Sequence, residues 1–436
     1  MQKKQNKYSL IWFRNDLRIH DNCSVSNALK ESNTTIALYC FDKRYFKKNS
    51  FGFIKTEKYR AKFLIETITN LKQKLSTLNI PIFVYYNTTE QAIAKLDEEF
   101  QFDAIYFQKE WTQEEVTIQN KVLSKLSKKI RVNDTYNQFL YHPKTLNFEI
   151  SKLPRSFTAF RKKAEHNSTI HQEVESPIAQ KPNTINNITI IPNLETLGLC
   201  KFTVHPNSAF PLRGGETEAL NQLNNYFFET KKLGVYKKTR NGLIGPDFSS
   251  KFSPWLANGS ISAKTIYWQV KEFEAKHFKN DSTYWLMFEL MWRDYFKYIS
   301  MKYGNKLFKI GGILDKHYNW SSNKTLINQW LNGETKEPFI NANMIELQKT
   351  GWMSNRGRQN VASYFAKYLK LDWRIGAAYF ESLLIDYDVH NNYGNWIYIS
   401  GVGNDPRNRV FNVKLQADRY DAAGKYQRLW LQDTLF

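Results

Sequence analysis

Asp386 and Asp388 stand one residue apart in the stretch DYDVHNNYGNWIY (386–398), followed by the paired amides Asn391 and Asn392, a glycine and several aromatic rings. Carboxylates and amides in such density against aromatic surface suit a planar, polar ligand. In YWLMFELMWRDYF, Glu289 lies among Trp285, Trp292 and Arg293. At helical spacing these occupy i−4, i, i+3 and i+4 and share one face. One reading is a Glu289–Arg293 pair worth a few tenths of a kcal/mol. The other is a carboxylate with aromatic walls that hydrogen-bonds a ligand. The residues leave both open. In DFSSKFSPW (247–255), Ser249, Ser250 and Ser253 with Lys251 offer hydroxyls and an amine to a phosphate, although serine-rich helix caps look the same. In GWMSNRGRQN (351–360), Asn355, Arg356 and Arg358 could meet phosphates or the carboxylates of the first stretch; a solvated arginine face is the plain alternative. Trp320, Trp373 and Trp396, taken singly, read as core.

The elements that must position these groups fall into two kinds. Short apolar runs at 8–13, 35–41, 80–86 and 103–107 are β-branched and aromatic enough for buried strands. Between the second and third, Phe63, Ile68, Leu71, Leu75 and Leu78 follow the period of an amphipathic helix, and 88–100 and 114–129 read likewise. Strand alternating with helix predicts a parallel, doubly wound α/β domain over 1–135. No GxGxxG follows the first strand, so a classical dinucleotide site there is unsupported. A connection spans 136–207; from about residue 167 it is rich in Asn, Thr, Ser and Pro, without helical period. After Phe210 strand patterns vanish, and 208–436 is expected to be a large all-helical domain carrying most of the tryptophans.

Composition bounds the partners. The 436 residues include 12 Trp and 15% aromatics, which fits a large core or a site that stacks planar rings. Net charge is +21 and is not a tail: the first 205 residues carry 31 Lys/Arg against 20 Asp/Glu, the rest 31 against 21. Such a field favours polyanions, nucleic acid above all, the alternative being a basic surface kept for solubility. Cys23, Cys40 and Cys200 are scattered, which argues for a reduced compartment and against a cysteine-built metal site. No stretch approaches the ~20 apolar residues of a membrane span, and the N-terminus does not read as a signal peptide. A cytoplasmic monomer without bound metal is expected.

Taken in order, IWFRNDLRIHDN, KFSPWLANGSIS, FELMWRDYFKY, GWMSNRGRQNVASYF, LDWRIGAAYFESLLIDYDVHNNYGNW and GVGNDPRNRVFN resemble the photolyase/cryptochrome family, in particular its cryptochrome DASH branch. The resemblance runs over essentially the whole chain. It implies an α/β antenna domain, a linker and a helical domain holding FAD. By matching motifs, Asp386 and Asp388 would line the polar side of the flavin, Arg358 would pair with Asp386, and Asn392 would face flavin N5. Tyr236 and the run Ser249, Ser250, Lys251, Phe252 and Ser253 would hold the pyrophosphate and ribityl region, with Trp285 and Asn355 also on the cofactor. Trp396, Trp373 and Trp320 match a row of indoles that relays electrons to the flavin. The implied activity is light-driven splitting of cyclobutane pyrimidine dimers in DNA. Glu289 would hydrogen-bond the dimer, Trp292 would pack against the flipped bases, and Asn355 would stand beside the substrate pocket.

Two departures from the main bacterial dimer photolyases matter. Gln359 stands where Met is usual, and Tyr398 where Trp is usual. Both reduce stacking surface, and base–aromatic stacking is worth roughly 1–3 kcal/mol. A weaker wall favours substrates whose bases are already unpaired, hence single-stranded or looped DNA. Ser354 and Asn355 stand where a (6-4) photolyase would want histidine, which rejects that activity. Arg356 is a further candidate for DNA contact. FQKEWTQEE resembles the folate-side loop of the family, and Glu110 is the expected contact of a methenyltetrahydrofolate antenna. A blue-light receptor without repair is the competing reading; a short C-terminal end weakens it.

Overall fold

The structure is a computed structural model, and it describes residues 6–432. Five strands, β1 (Asn6–Trp12), β2 (Ser32–Asp42), β3 (Ile82–Asn87), β4 (Ala104–Gln108) and β5 (Arg131–Thr135), form one parallel sheet in the order β3-β2-β1-β4-β5. The helices α1 (Cys23–Glu31), α2 (Lys58–Ser76), α3 (Thr89–Phe100) and α4 (Gln113–Lys125) connect them. Alternation along β1 sends side chains to opposite faces. Ile11 and Phe13 pack into one apolar layer with Ala61, Ile68 and Leu71 of α2. Leu10 and Trp12 pack into the other with Ala92 and Leu96 of α3 and Val122 of α4. Both faces are therefore covered, as a parallel sheet requires. The four apolar runs are strands, and β5 adds a fifth. Its sequence RVNDT is half-exposed at the sheet edge and carries no apolar run, so hydrophobic pattern could not show it.

Among the described residues, everything after β5 is helical or irregular. Helix α5 (Phe157–Asn167) lies inside the stretch expected to be a connection, and its Phe157 and Phe160 belong to the same core as the helical part. Segment 168–207 holds neither helix nor strand. It runs beside edge strand β3, where the Asn187 side chain donates to the Ile82 carbonyl (2.5 Å) and Val84 N–H donates to Thr189 Oγ1 (3.0 Å). These side chains occupy backbone groups that would otherwise template another strand.

Sheet and helical core meet at the loop after β1. The Arg18 guanidinium donates to the Gly259 carbonyl at 2.9 Å, and Leu17 N–H to the Asn258 carbonyl at 3.2 Å. Gly259 has φ +76°, and a Cβ there would fall 2.0 Å from the Asn15 carbonyl oxygen. The glycine of the ANGS turn is what lets the two chains approach. Trp255, Trp330, Trp373, Trp396 and Trp430 are fully buried in the helical core, which accounts for much of the tryptophan content.

Candidate functional site

Four segments of the helical part converge on one cavity of about 520 Å³. The first is the 23-residue helix Asp281–Tyr303, which Asn280 starts by accepting from Ser282 N–H (2.8 Å) and Thr283 N–H (3.1 Å). It contributes Trp285, Glu289, Trp292, Arg293 and Phe296 to the wall, one face at helical spacing. The second is Asn355–Ser363, capped by Ser354 Oγ on Gly357 N–H (3.0 Å), which brings Asn355, Arg356, Arg358 and Gln359. The third is Val389–Ser400, capped by Asp388 Oδ1 on Asn391 N–H (2.8 Å), which brings Asn391, Asn395 and Tyr398. The fourth is the loop Ser249, Ser250, Lys251, Phe252 and Ser253, with Tyr236 nearby.

The charges inside are paired. Arg358 Nη2 donates to both Asp386 oxygens at 2.9 Å. Lys297 Nζ donates to Asp388 Oδ2 at 2.9 Å, with both side chains almost wholly shielded from solvent. Burial opposes charge on Asp388, but Lys297, His390, Arg293 and the Asn391 N–H outweigh it and hold the carboxyl well below the usual carboxylate range. Burial raises Glu289, opposed chiefly by Arg240, whose guanidinium bonds its carboxylate. Lys251 is buried with φ +59° and pushed down to about 8, with Glu346 as the main opposing influence. Arg293 does not pair with Glu289: its guanidinium donates to the Gln138 and Leu256 carbonyls. The helix-spaced Glu–Arg pair is thus replaced by one from outside the helix.

Aromatic side chains shape the end of the cavity beside Glu289. Trp292 and Tyr398 stand edge to face, with centroids 5.9 Å apart at 89°. Phe157 of α5 stacks behind Trp292 at 3.8 Å and 11°. The Gln359 amide oxygen accepts from Arg356 at 2.9 Å. Asn392 lies in an adjoining pocket of about 80 Å³ together with Asp386, Asp388 and Trp396; its amide nitrogen donates to the Ala377 carbonyl at 2.9 Å. Trp396 packs over Gly376, where a Cβ would come within 2.2 Å of the ring, one turn beyond Trp373 on the helix Trp373–Leu383. Trp373 is fully buried and donates to the Ile310 carbonyl at 3.0 Å. Half-buried Trp320 precedes Ser321, which pairs with the strand-like residue Leu371 two positions before Trp373. Trp396 thus stands at the pocket wall, Trp373 in the core and Trp320 part-way to solvent.

Glu110 is elsewhere. It lines a second cavity of about 200 Å³ between the carboxyl ends of β1, β2 and β4 and the helical part. Its Oε1 accepts from Gln108 Nε2 (2.8 Å) and Asn15 Nδ2 (3.3 Å). Burial and the neighbouring Glu110 charge push Glu115 up to about 7. Asp388, Arg293 and Ala257 line both cavities and form the partition between them.

A family model for DNA photolyase matches residues 9–182, and one for the FAD binding domain of DNA photolyase matches 285–434. Cryptochrome DASH of Gloeobacter violaceus is 42% identical over 98% of this chain and 86% of that protein; the Danio rerio protein is 42% identical over 96% and 82%. The solved cryptochrome of Synechocystis sp. superposes with a TM-score of 0.93 at 42% identity, over 99% of this chain and 90% of that one. The chain belongs to the cryptochrome DASH branch of the photolyase/cryptochrome family. Its helical part is accordingly a FAD-binding domain. The cavity suits that cofactor: it pairs hydroxyls and a buried amine at one end with ion-paired carboxylates and amides at the other. No metal-ligating cluster occurs among the described residues, and none of their helices is long and apolar enough to cross a membrane.

Sequence reasoning gave no role to five contributors. Arg240 and Lys297 sit in YKKTRN and RDYFKY, where a basic residue looks like a solvated one; the only signal was a lysine within an aromatic helical run. Phe157 was assigned to the connection. Asn391 and Asn395 were legible only as part of an amide-rich stretch.

Proposed function

We propose that this protein cleaves cyclobutane pyrimidine dimers in single-stranded or looped DNA under blue light. The observation that carries the reading is Glu289 and Trp292 on one wall of the cavity, with Tyr398 at a right angle to Trp292 and the Asp386–Asn392 group behind. When bound in reduced form, FAD would supply, on excitation by light, an electron that is lent to the dimer and returned, with no net redox change.

Each side chain has a defined task. Tyr236, Ser249, Ser250, Lys251, Phe252 and Ser253 hold the phosphate and ribityl end, and Asp386, Asp388, Arg358 and Asn392 hold the ring system. Asn355, which lines both the main cavity and its extension, stands where cofactor and bases would meet. Glu289 accepts from, or shares a proton with, the imide edge of the dimer. Its partial burial makes that hydrogen bond strong. Trp292 and Tyr398 wall two sides of a flipped dimer. The row Trp396, Trp373 and Trp320 passes electrons inward from the surface. Arg356, Arg240 and Arg409 at the same cavity supply positive charge for the phosphodiester. Glu110 and its cavity hold the antenna, for which methenyltetrahydrofolate is the expected occupant. The polar Gln359 and the smaller Tyr398 leave less stacking surface to offset extrusion from a duplex, which favours strands already unpaired.

The test is dimer loss in matched single- and double-stranded oligonucleotides, with anaerobically reduced protein under blue light and a dark control. Repair of the single strand with little from the duplex supports the reading. No repair of either with flavin bound moves the assignment to a light receptor.

A further inference from the structure

Trp285, one turn N-terminal to Glu289, and Phe288, immediately before it, form a second aromatic surface at the same cavity. Their rings stack with centroids 4.6 Å apart at 24°, and both side chains are half-exposed. Cations flank the pair on either side. Lys237 Nζ lies 4.6 Å from the Trp285 centroid, and the Arg161 guanidinium 5.6 Å from that of Phe288. Phe288 meets Phe157 edge-on at 5.0 Å, and Phe157 stacks behind Trp292. A chain of ring contacts through buried Phe157 thus links Trp292 to this outer ledge.

We propose that the Trp285–Phe288 ledge is a stacking subsite for the unpaired base next to the dimer in single-stranded DNA. The inference rests on the dimer-cleaving reading above and adds a determinant of strand preference. The four steps from Trp285 to Glu289 span about 6 Å along the helix axis, a distance one nucleotide step can cover. Ring faces with adjacent cations are what sequence-independent single-strand binders present to successive bases. A duplex keeps that neighbouring base paired and stacked, so only an unpaired strand can use the ledge. Lys237 covers the outer indole face but is itself 39% exposed, and its partner Asp281 is 86% exposed. Such a pair holds its geometry weakly. The arriving base takes the place of the ammonium on the indole, and the ammonium moves to the phosphodiester. Arg161 stays with Glu165 (3.9 Å) and the Tyr284 hydroxyl (2.5 Å) and braces the far side. Trp285, first expected among the cofactor contacts, thereby becomes a substrate-positioning residue.

The experiment measures dark binding of the flavin-loaded protein to a labelled single strand carrying one thymine dimer. Each flanking base is replaced in turn by an abasic site. The ledge predicts that removing one particular flank weakens wild-type binding roughly tenfold, the loss of one base stack. Trp285→Leu should weaken binding to the intact strand by the same factor, and the abasic flank should then cost nothing more. A fluorescent purine analogue at that flank should be quenched by wild type and not by Trp285→Leu. Because the abasic strand needs no protein variant, a misfolded Trp285→Leu would leave the proposal open to refutation. Wild-type binding indifferent to both flanks overturns the ledge while leaving dimer cleavage intact. Failure of wild type to bind the dimer strand at all overturns the ledge and the underlying reading together.

Discussion

The two cavities that share Asp388 and Arg293 differ at one carboxylate: in the α/β cavity Glu114 bonds Lys55 and Asp42 bonds Arg44, but Glu115 has the like charge of Glu110 as its main neighbour. In the helical cavity each carboxylate has its own cation: Asp386 with Arg358, Asp388 with Lys297, Glu289 with Arg240. In the α/β cavity, Glu110, Glu114 and Glu115 lie close together. Burial and a like neighbour push Glu115 up to about 7 there, and Glu381 on the same wall is also raised by burial. Lys297 and its neighbours keep Asp388 ionised despite burial, which fixes a charge inside the molecule. Glu115, raised to about 7, takes up a proton near neutral pH and can then donate a hydrogen bond.

Removing an ion partner should separate the two cavities most sharply. Asp388→Ala leaves Lys297 buried without a counter-charge, for which a loss of about 3–5 kcal/mol is typical. Glu114→Ala breaks the Lys55 pair, whose glutamate is 60% exposed, and should cost less than about 1 kcal/mol. Denaturant midpoints of the two variants check the difference. Equal losses would erase the contrast.

A pH series addresses the crowded carboxylates. The folded state holds the Glu115 proton up to about pH 7, against 4.5 for a glutamate in the unfolded chain, so its contribution is fully present below 4.5 and disappears as pH rises through 7. Stability should therefore fall by about 1–3 kcal/mol over that window from this group, and Glu115→Gln should flatten the slope. An unchanged slope would show Glu115 ionised.

Smaller effects concern the relay and the dimer wall. Trp396→Phe should slow photoreduction at least about tenfold, taking roughly 1.4 kcal/mol as one decade, while repair by chemically reduced protein persists. Collapse of pre-reduced repair as well would make Trp396 structural. Gln359→Met with Tyr398→Trp should raise duplex repair several-fold relative to the single strand, as befits about 1 kcal/mol of restored stacking. No change would detach strand preference from this wall.

Much of this was legible in residue patterns. Apolar runs announced four strands, and the helical period of 285–293 placed Trp285, Glu289 and Trp292 on one cavity wall. The missing parts depend on contacts distant in sequence. Arg293 stands at the right helical spacing for Glu289, yet the Gln138 and Leu256 carbonyls take its guanidinium and Arg240 arrives from another segment. Strand β5 has no apolar run because it lies at an edge. Phe157 sits in a stretch whose neighbours are basic and polar, and only tertiary packing reveals that it backs Trp292.

The most direct test of the division of labour is repair per absorbed photon of a single-stranded dimer, with reduced flavin excited directly, in Glu289→Ala and Glu110→Ala. The account predicts that Glu289→Ala keeps its flavin and loses at least about tenfold, the scale of a hydrogen bond to a charged group, while Glu110→Ala matches wild type. Full repair by Glu289→Ala, or an equal loss in Glu110→Ala, would contradict it.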